Sequence, residues 1–188
     1  MHSLIDLFAY KIYKEKLLPK SDILKMKYAM NVLWNEVVKF FILMVIFRFL
    51  NRFDLFMFCT ALLLPIRIFS GGIHFKGQIS CFIGSFVFYA LAILILPKLI
   101  HMNLYFAIIL MVLSLIIIYI YSPIVSSFRP ILNEKRKRSL KYTSVFFTLL
   151  GAFVLFQFTL PHNTNFFESG IWIIVVQAFQ LILGKELG

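Results

Sequence analysis

Charge is what this chain has least of. Asp, Glu, Lys and Arg together make up 14% of its 188 residues, where a soluble domain carries about 25%. Hydrophobic residues make up 61%, and 23 of the residues are Phe. So little polar surface cannot cover so large an apolar core, and a water-soluble fold is excluded. Cysteine is scarce too: Cys59 and Cys81 alone provide no disulfide framework. The four histidines are scattered, no H-E-x-x-H occurs, and with two Cys they make no recognisable ligand set. No metal site and no cofactor is expected.

The apolar residues come in long runs, not at the spacing of a one-sided amphipathic helix. Six runs, near 32–50, 54–69, 82–97, 104–121, 143–160 and 169–184, approach the roughly 20 residues that cross a hydrocarbon core. The second carries Pro65 and Arg67 near its end and is expected to break into an irregular or re-entrant stretch. Ahead of the first run, residues 1–30 mix Leu4, Ile5, Leu7, Phe8, Ile12, Leu17 and Leu18 with Lys11, Lys14 and Lys16. This is the pattern of a helix lying on a bilayer surface. Pro19 interrupts it, and Ser21 or Asp22 can cap a second helix running toward the membrane. A signal peptide is not expected, because the first apolar run comes too late for its hydrophobic region. The expected fold is all-α: one polytopic membrane domain over residues 1–188, with an interfacial amphipathic segment at 1–30 and a bundle of about six transmembrane helices at 32–184.

A net charge of +11 suggests nucleic acid in a soluble protein. Here the cations flank apolar spans, which points to topology and anionic lipid instead, and no nucleic-acid partner is expected. With the N-terminus in the cytoplasm, fifteen Lys and Arg fall inside and three outside, the latter being Arg48, Arg52 and Lys98. By the positive-inside rule both termini are then cytoplasmic in a bacterial multi-pass membrane protein. The loops 70–81 and 122–142 share that side.

Polar residues cluster between the second and third spans, from Arg67 through Ser70, Gly71, Gly72, His74, Lys76, Gly77, Gln78 and Ser80 to Cys81. A thiol becomes a nucleophile when a neighbouring His takes its proton. Cys81 stands where the third helix should begin, and amides at a helix N-terminus favour an anion and can act as oxyanion donors. His101 and His162 fall outside. On one continuous helix His74 and Cys81 would be separated by about 10.5 Å of rise, so the chain must fold back between them. Gly71, Gly72 and Gly77 suit such a turn, with Gly77 as the pivot. Cys59, inside an apolar span, reads as a small buried hydrophobe.

The pattern R-x3-G-G-x-H-x6-C, here Arg67, Gly71, Gly72, His74 and Cys81, resembles the accessory gene regulator B (AgrB) family of staphylococci and related Gram-positive bacteria. Corroborating features are Tyr121-Ser122-Pro123, Arg129-Pro130, the run Lys135-Arg136-Lys137-Arg138, and Asn35 with Lys39. The likeness extends over essentially the whole chain. It implies a cysteine endopeptidase of the cytoplasmic membrane face with His74 and Cys81 as the catalytic pair. Cys81 would cleave the acidic C-terminal tail from an AgrD-like precursor peptide through an acyl-enzyme. A Cys or Ser of the precursor would then close a thiolactone or lactone ring, giving an autoinducing peptide for quorum sensing. The partners expected are that precursor, from the resemblance, anionic lipid, from the placement of the cations, and a second copy of the chain in a homodimer.

Around the pair, the acidic tail would find complementary charge in Arg129, Lys135, Arg136, Lys137 and Arg138, which serve equally as a topogenic or lipid-binding patch. Arg67 has three open uses: to anchor a substrate carboxylate, hold the re-entrant loop or stabilise a thiolate. Glu36 and Lys39 either face the site or snorkel to the headgroups. Glu36, Gln78 and Ser80 are the candidates for orienting His74. Gln157, Gln177 and Gln180 read as interhelical glue. Two other functions compete with the peptidase. One is a small transporter with Glu36, Lys39 and Arg67 along its path, and the other is a non-enzymatic membrane scaffold that binds a peptide.

Overall fold

A computed structural model describes residues 20–73, 77–124 and 133–186. Six helices account for nearly all of them, and no strand occurs among the described residues. We number them α1 (Lys20–Phe49), α2 (Phe53–Ser70), α3 (Gln78–Leu99), α4 (Leu104–Tyr121), α5 (Glu134–Thr159) and α6 (Thr164–Glu186). All six are long and apolar enough to cross a membrane. The expectation of an all-α polytopic protein holds, with span limits within a few residues except at α5, which begins nine residues before the apolar run.

The chain divides into two compact units, Met1–Ile46 and Phe47–Gly188. In the first, residues 1–19, and with them most of the expected interfacial segment, lie outside the described residues. From Lys20 the backbone is one unbroken helix into the first span. Ser21 and Asp22 therefore lie within that helix. Asp22 sits in its first turn, where a carboxylate complements the helix dipole. Leu33, Phe41 and Val45 are exposed along the span, the surface that hydrocarbon would cover. Glu36 and Lys39 pair with each other one turn apart, at 2.6 Å, so neither charge is carried alone.

In the second unit α6 is the central helix. Two thirds of its apolar window (67%) is buried, against 17–39% for α2 to α5, and it packs on α2, α3, α4 and α5. Close approach explains part of this: any side-chain atom at Gly170 would overlap Leu155 of α5. Phe47 stacks on Phe56 at 5.0 Å, and Tyr89 of α3 lies 4.9 Å from Phe56. The hydroxyl of Tyr89 is held by Thr60 at 3.1 Å, so an apolar cluster also satisfies its one polar atom.

The expected break in the second span does not occur. Pro65 lies inside a helix that continues to Ser70. A proline deletes one hydrogen bond of the ladder, and packing of α2 against both α5 and α6 holds the helix through that defect. At Pro97 and Pro161 the winding does change. α3 opens to a π turn at Leu91–Ile95, just before Pro97, and α5 does the same at Leu155–Thr159, just before Pro161. An i→i+5 turn re-pairs carbonyls where a proline ahead supplies no N–H.

Candidate active site

The candidate site lies at the end of the bundle where α2 stops. Gly71 ends the helix at φ +80°, ψ −162°, a region open essentially only to glycine, and its N–H bonds Arg67 O at 2.9 Å. The chain beyond then turns inward: Ser70, Gly71, Gly72 and Ile73 are all buried. A buried loop must satisfy its backbone, and α6 and the segment after α4 do this. Gln177 Nε2 donates to Gly71 O at 2.8 Å and to Ser70 Oγ at 3.0 Å. Ile124 N donates to Ser70 O at 2.9 Å. One turn along α6, Gln180 Oε1 accepts from Arg67 Nη1 at 2.6 Å.

Arg67 thus has a defined use among the three considered. Its guanidinium bonds α6 and lies against Gly72, where an added Cβ would meet Arg67 Cζ and Gln180 Oε1 at 3.5 Å. The arginine and the two glutamines clamp the segment 70–73 from two helices. Gln177 and Gln180 are interhelical ties, as their residue type implied, but what they hold is the end of α2 and the segment up to residue 73. Their i, i+3 spacing was the available signal, since it puts both amides on one face of α6. Gln157 is exposed and bonds no other helix among the described residues.

Replacing Gln177 with Leu leaves the carbonyl of Gly71 and the hydroxyl of Ser70 without this donor. The expected loss is about 1–2 kcal/mol, read as a lower midpoint of thermal unfolding in detergent micelles. Gln157→Leu should leave the midpoint unchanged.

His74 itself, with Phe75 and Lys76, lies outside the described residues, and so does Arg129. The chain is described again at Gly77, the N-cap of α3, at φ −126°, ψ 150°. That is extended backbone that any residue adopts, while Gly71 is the glycine of the segment with positive φ; the expected bend between His74 and Cys81 runs through residues outside the described ones. Cys81 lies in the first turn of α3, part-exposed, with its N–H bonded to Gly77 O at 3.0 Å. Its own amide is therefore committed to the helix. Oxyanion donors at this terminus would have to come from the amides of residues 78–80, which open the helix without a side-chain cap. Gln78 and Ser80 are exposed in that turn, while Glu36 accepts from Lys39 at 2.6 Å. Cys59 is fully buried in α2.

The loops expected to share a side do meet. Ile124, three residues past the end of α4, bonds Ser70. Gly184 near the end of α6 lies so close to Ile73 that an added Cβ would meet its N and Cγ1 at 3.6 Å. At the same end, Lys141 Nζ of α5 sits 4.4 Å over the ring of Tyr119, and Lys185 Nζ sits 4.9 Å over Tyr121. The basic run is divided by its helix. Glu134, Lys137, Arg138 and Lys141 share one face and line a cavity, whereas Lys135 and Arg136 are not part of that lining.

The description Accessory gene regulator B matches residues 5–181 as a single family. This chain belongs to the accessory gene regulator B family. Among its relatives, a protein described as AgrB-like from Clostridium beijerinckii is 28% identical over 160 residues, covering 85% of this chain and 78% of its own. The accessory gene regulator protein B of Staphylococcus carnosus is 26% identical over 185 residues, covering 97% and 94%. That of Staphylococcus saprophyticus is 28% identical over 188, covering 97% and 95%. No solved structure matches. An AgrB family member with six membrane-spanning helices is a multi-pass membrane protein concerned with accessory gene regulation.

Proposed function

We propose that this chain is a cysteine endopeptidase of the cytoplasmic membrane face that trims a short precursor peptide for quorum sensing. The observation that carries the reading is the clamped segment Ser70–Ile73. It is a buried, glycine-shaped stretch held by Gln177, Arg67 and Gln180, and it leads into the residue-74 position seven before a cysteine in the first turn of a helix. A loop kept only to join two spans has no need of three polar side chains from two helices.

In this reading His74 takes the proton of Cys81 as Sγ attacks the carbonyl carbon of the scissile bond. The amides opening α3 receive the developing oxyanion. The C–N bond then breaks, the tail amine takes the proton from His74, and a thioester remains on Cys81. A Cys or Ser side chain of the same precursor then attacks that thioester, giving its proton to the now neutral His74; Cys81 leaves as thiolate beside the imidazolium, and a thiolactone or lactone ring forms. Ring closure outruns hydrolysis because the attacking group is already tethered to the acyl group and water is partly excluded. Lys135 and Arg136 offer charge to the acidic tail from the face of α5 turned away from the cavity, together with Arg129.

The transporter alternative draws on Glu36, Lys39 and Arg67 as charges along a path. Glu36 and Lys39 are paired with each other and Arg67 with Gln180, so all three are engaged in fixed structural contacts, and the peptidase reading is favoured. The test uses the purified full chain mixed with a candidate precursor and stopped in acid. Intact-mass measurement should show an adduct equal in mass to the precursor minus its tail, located on Cys81 and removed by hydroxylamine. Cleavage by the wild type without any such adduct would count against the thioester route.

A further inference from the structure

At the end of the bundle that carries the clamped segment lies a cavity of about 550 Å³, between the end of α4, the start of α5 and the end of α6. Four cations line it: Lys137, Arg138, Lys141 and Lys185. The one carboxylate there, Glu134, is exposed and only loosely paired with Lys137 at 3.8 Å. The cavity therefore holds net positive charge. Tyr119 and Tyr121 fix two of the cations through their rings, an arrangement suited to the headgroup level of a bilayer.

The surroundings decide the kind of anion. Ile120 is part of the wall and is 58% exposed. One turn from it Ile116 on α4 is exposed, and so are Tyr142, Phe146 and Leu149 on α5, which packs against α4. A charged cup beside exposed apolar helix faces matches an amphiphile. A carboxylate-rich peptide would use the cup alone. We infer that this cavity binds the phosphodiester headgroup of an anionic phospholipid, whose acyl chains lie along the α4–α5 surface. A lipid headgroup there needs none of the peptide chemistry and stands whether or not that reading holds, although Ile124 and Gly184 of the wall also touch the clamped segment.

Native mass spectrometry of the full chain in detergent, titrated with phosphatidylglycerol or phosphatidylcholine, tests this. The wild type should retain phosphatidylglycerol with at least about tenfold preference. Each cation near a membrane surface contributes about fivefold, so Lys141→Gln with Lys185→Gln should remove about 25-fold, while Arg48→Gln with Arg52→Gln at the other end should change nothing. A photoreactive phosphatidylglycerol on the wild type should label residues 116–121 and 137–146, a result independent of how the variants fold. Equal retention of the two lipids, or labelling confined elsewhere, overturns the inference. Displacement by millimolar inorganic phosphate shows a free-phosphate site instead, and displacement by a soluble poly-glutamate peptide shows a peptide site; either also overturns it.

Discussion

Cys81→Ala is expected to lower precursor cleavage by at least about four orders of magnitude while the protein still accumulates in the membrane. The size follows from the role: removing the nucleophile of an acyl-transfer enzyme leaves only what binding and oxyanion donors supply. Retained accumulation follows from position. Cys81 is part-exposed in the first turn of α3, and its backbone bond to Gly77 O is unaffected by trimming the side chain. Cys59→Ala is the matched control. It removes a sulfur that is fully buried in α2, so it should lower stability by about 1 kcal/mol through the small cavity left and leave cleavage per folded molecule near wild type. The measurement is quantitative blotting of tagged precursor and product, with the membrane level of each variant determined in parallel. Comparable cleavage by Cys81→Ala would remove the peptidase reading altogether.

Most of the fold was legible because the membrane imposes a crude code. Runs of apolar residues mark spans, and all six lie where the runs do. What misled was the reading of single residues as local events. Pro65 signals a break in isolation, yet α2 runs through it because α5 and α6 hold both of its sides. The basic run Lys135–Arg138 reads as one block in the sequence. Helical winding splits it, sending Lys137 and Arg138 into a cavity with Lys141 and Lys185 and leaving Lys135 and Arg136 outside it. Lys185 lies some fifty residues further on, so no local window joins it to the others.

The position of Cys81 at the start of a helix was legible, and the supports of the segment before it were not. A cysteine at the start of a helix is visible from the pattern of apolar residues, since the third run begins just after it. The clamp is not visible, because it joins Arg67 to Gln180 and Ser70 to Gln177, each across more than a hundred residues. Glutamine in a spanning helix announces that a partner exists, and only the packing of α2 on α6 says which one.

The three glycines of the segment give the sharpest separation of structural roles, and Gly71→Ala carries the second large effect. Gly71 is the only one with positive φ, at +80° with ψ −162°, where an L-residue costs about 1–3 kcal/mol. Space is not the obstacle, because an added Cβ would meet Ile124 at 3.5 Å, an ordinary contact. The strain is in the backbone. It is relieved most readily by rotating the peptide that follows, whose carbonyl is the acceptor for Gln177 at 2.8 Å. That rotation gives up the clamp and moves Gly72, Ile73 and the residues after them. Because about 1 Å of misplacement can cost about a hundredfold in rate, cleavage by Gly71→Ala should fall at least about thirtyfold with the protein present in the membrane. Gly77→Ala should stay within about threefold of wild type, since φ −126° is open to alanine and its nearest new neighbour is Ser80 Oγ at 3.5 Å. Equal losses in the two variants would mean that Gly77 governs the approach to Cys81 as much as Gly71 does, and the clamp would then not be what positions the chemistry.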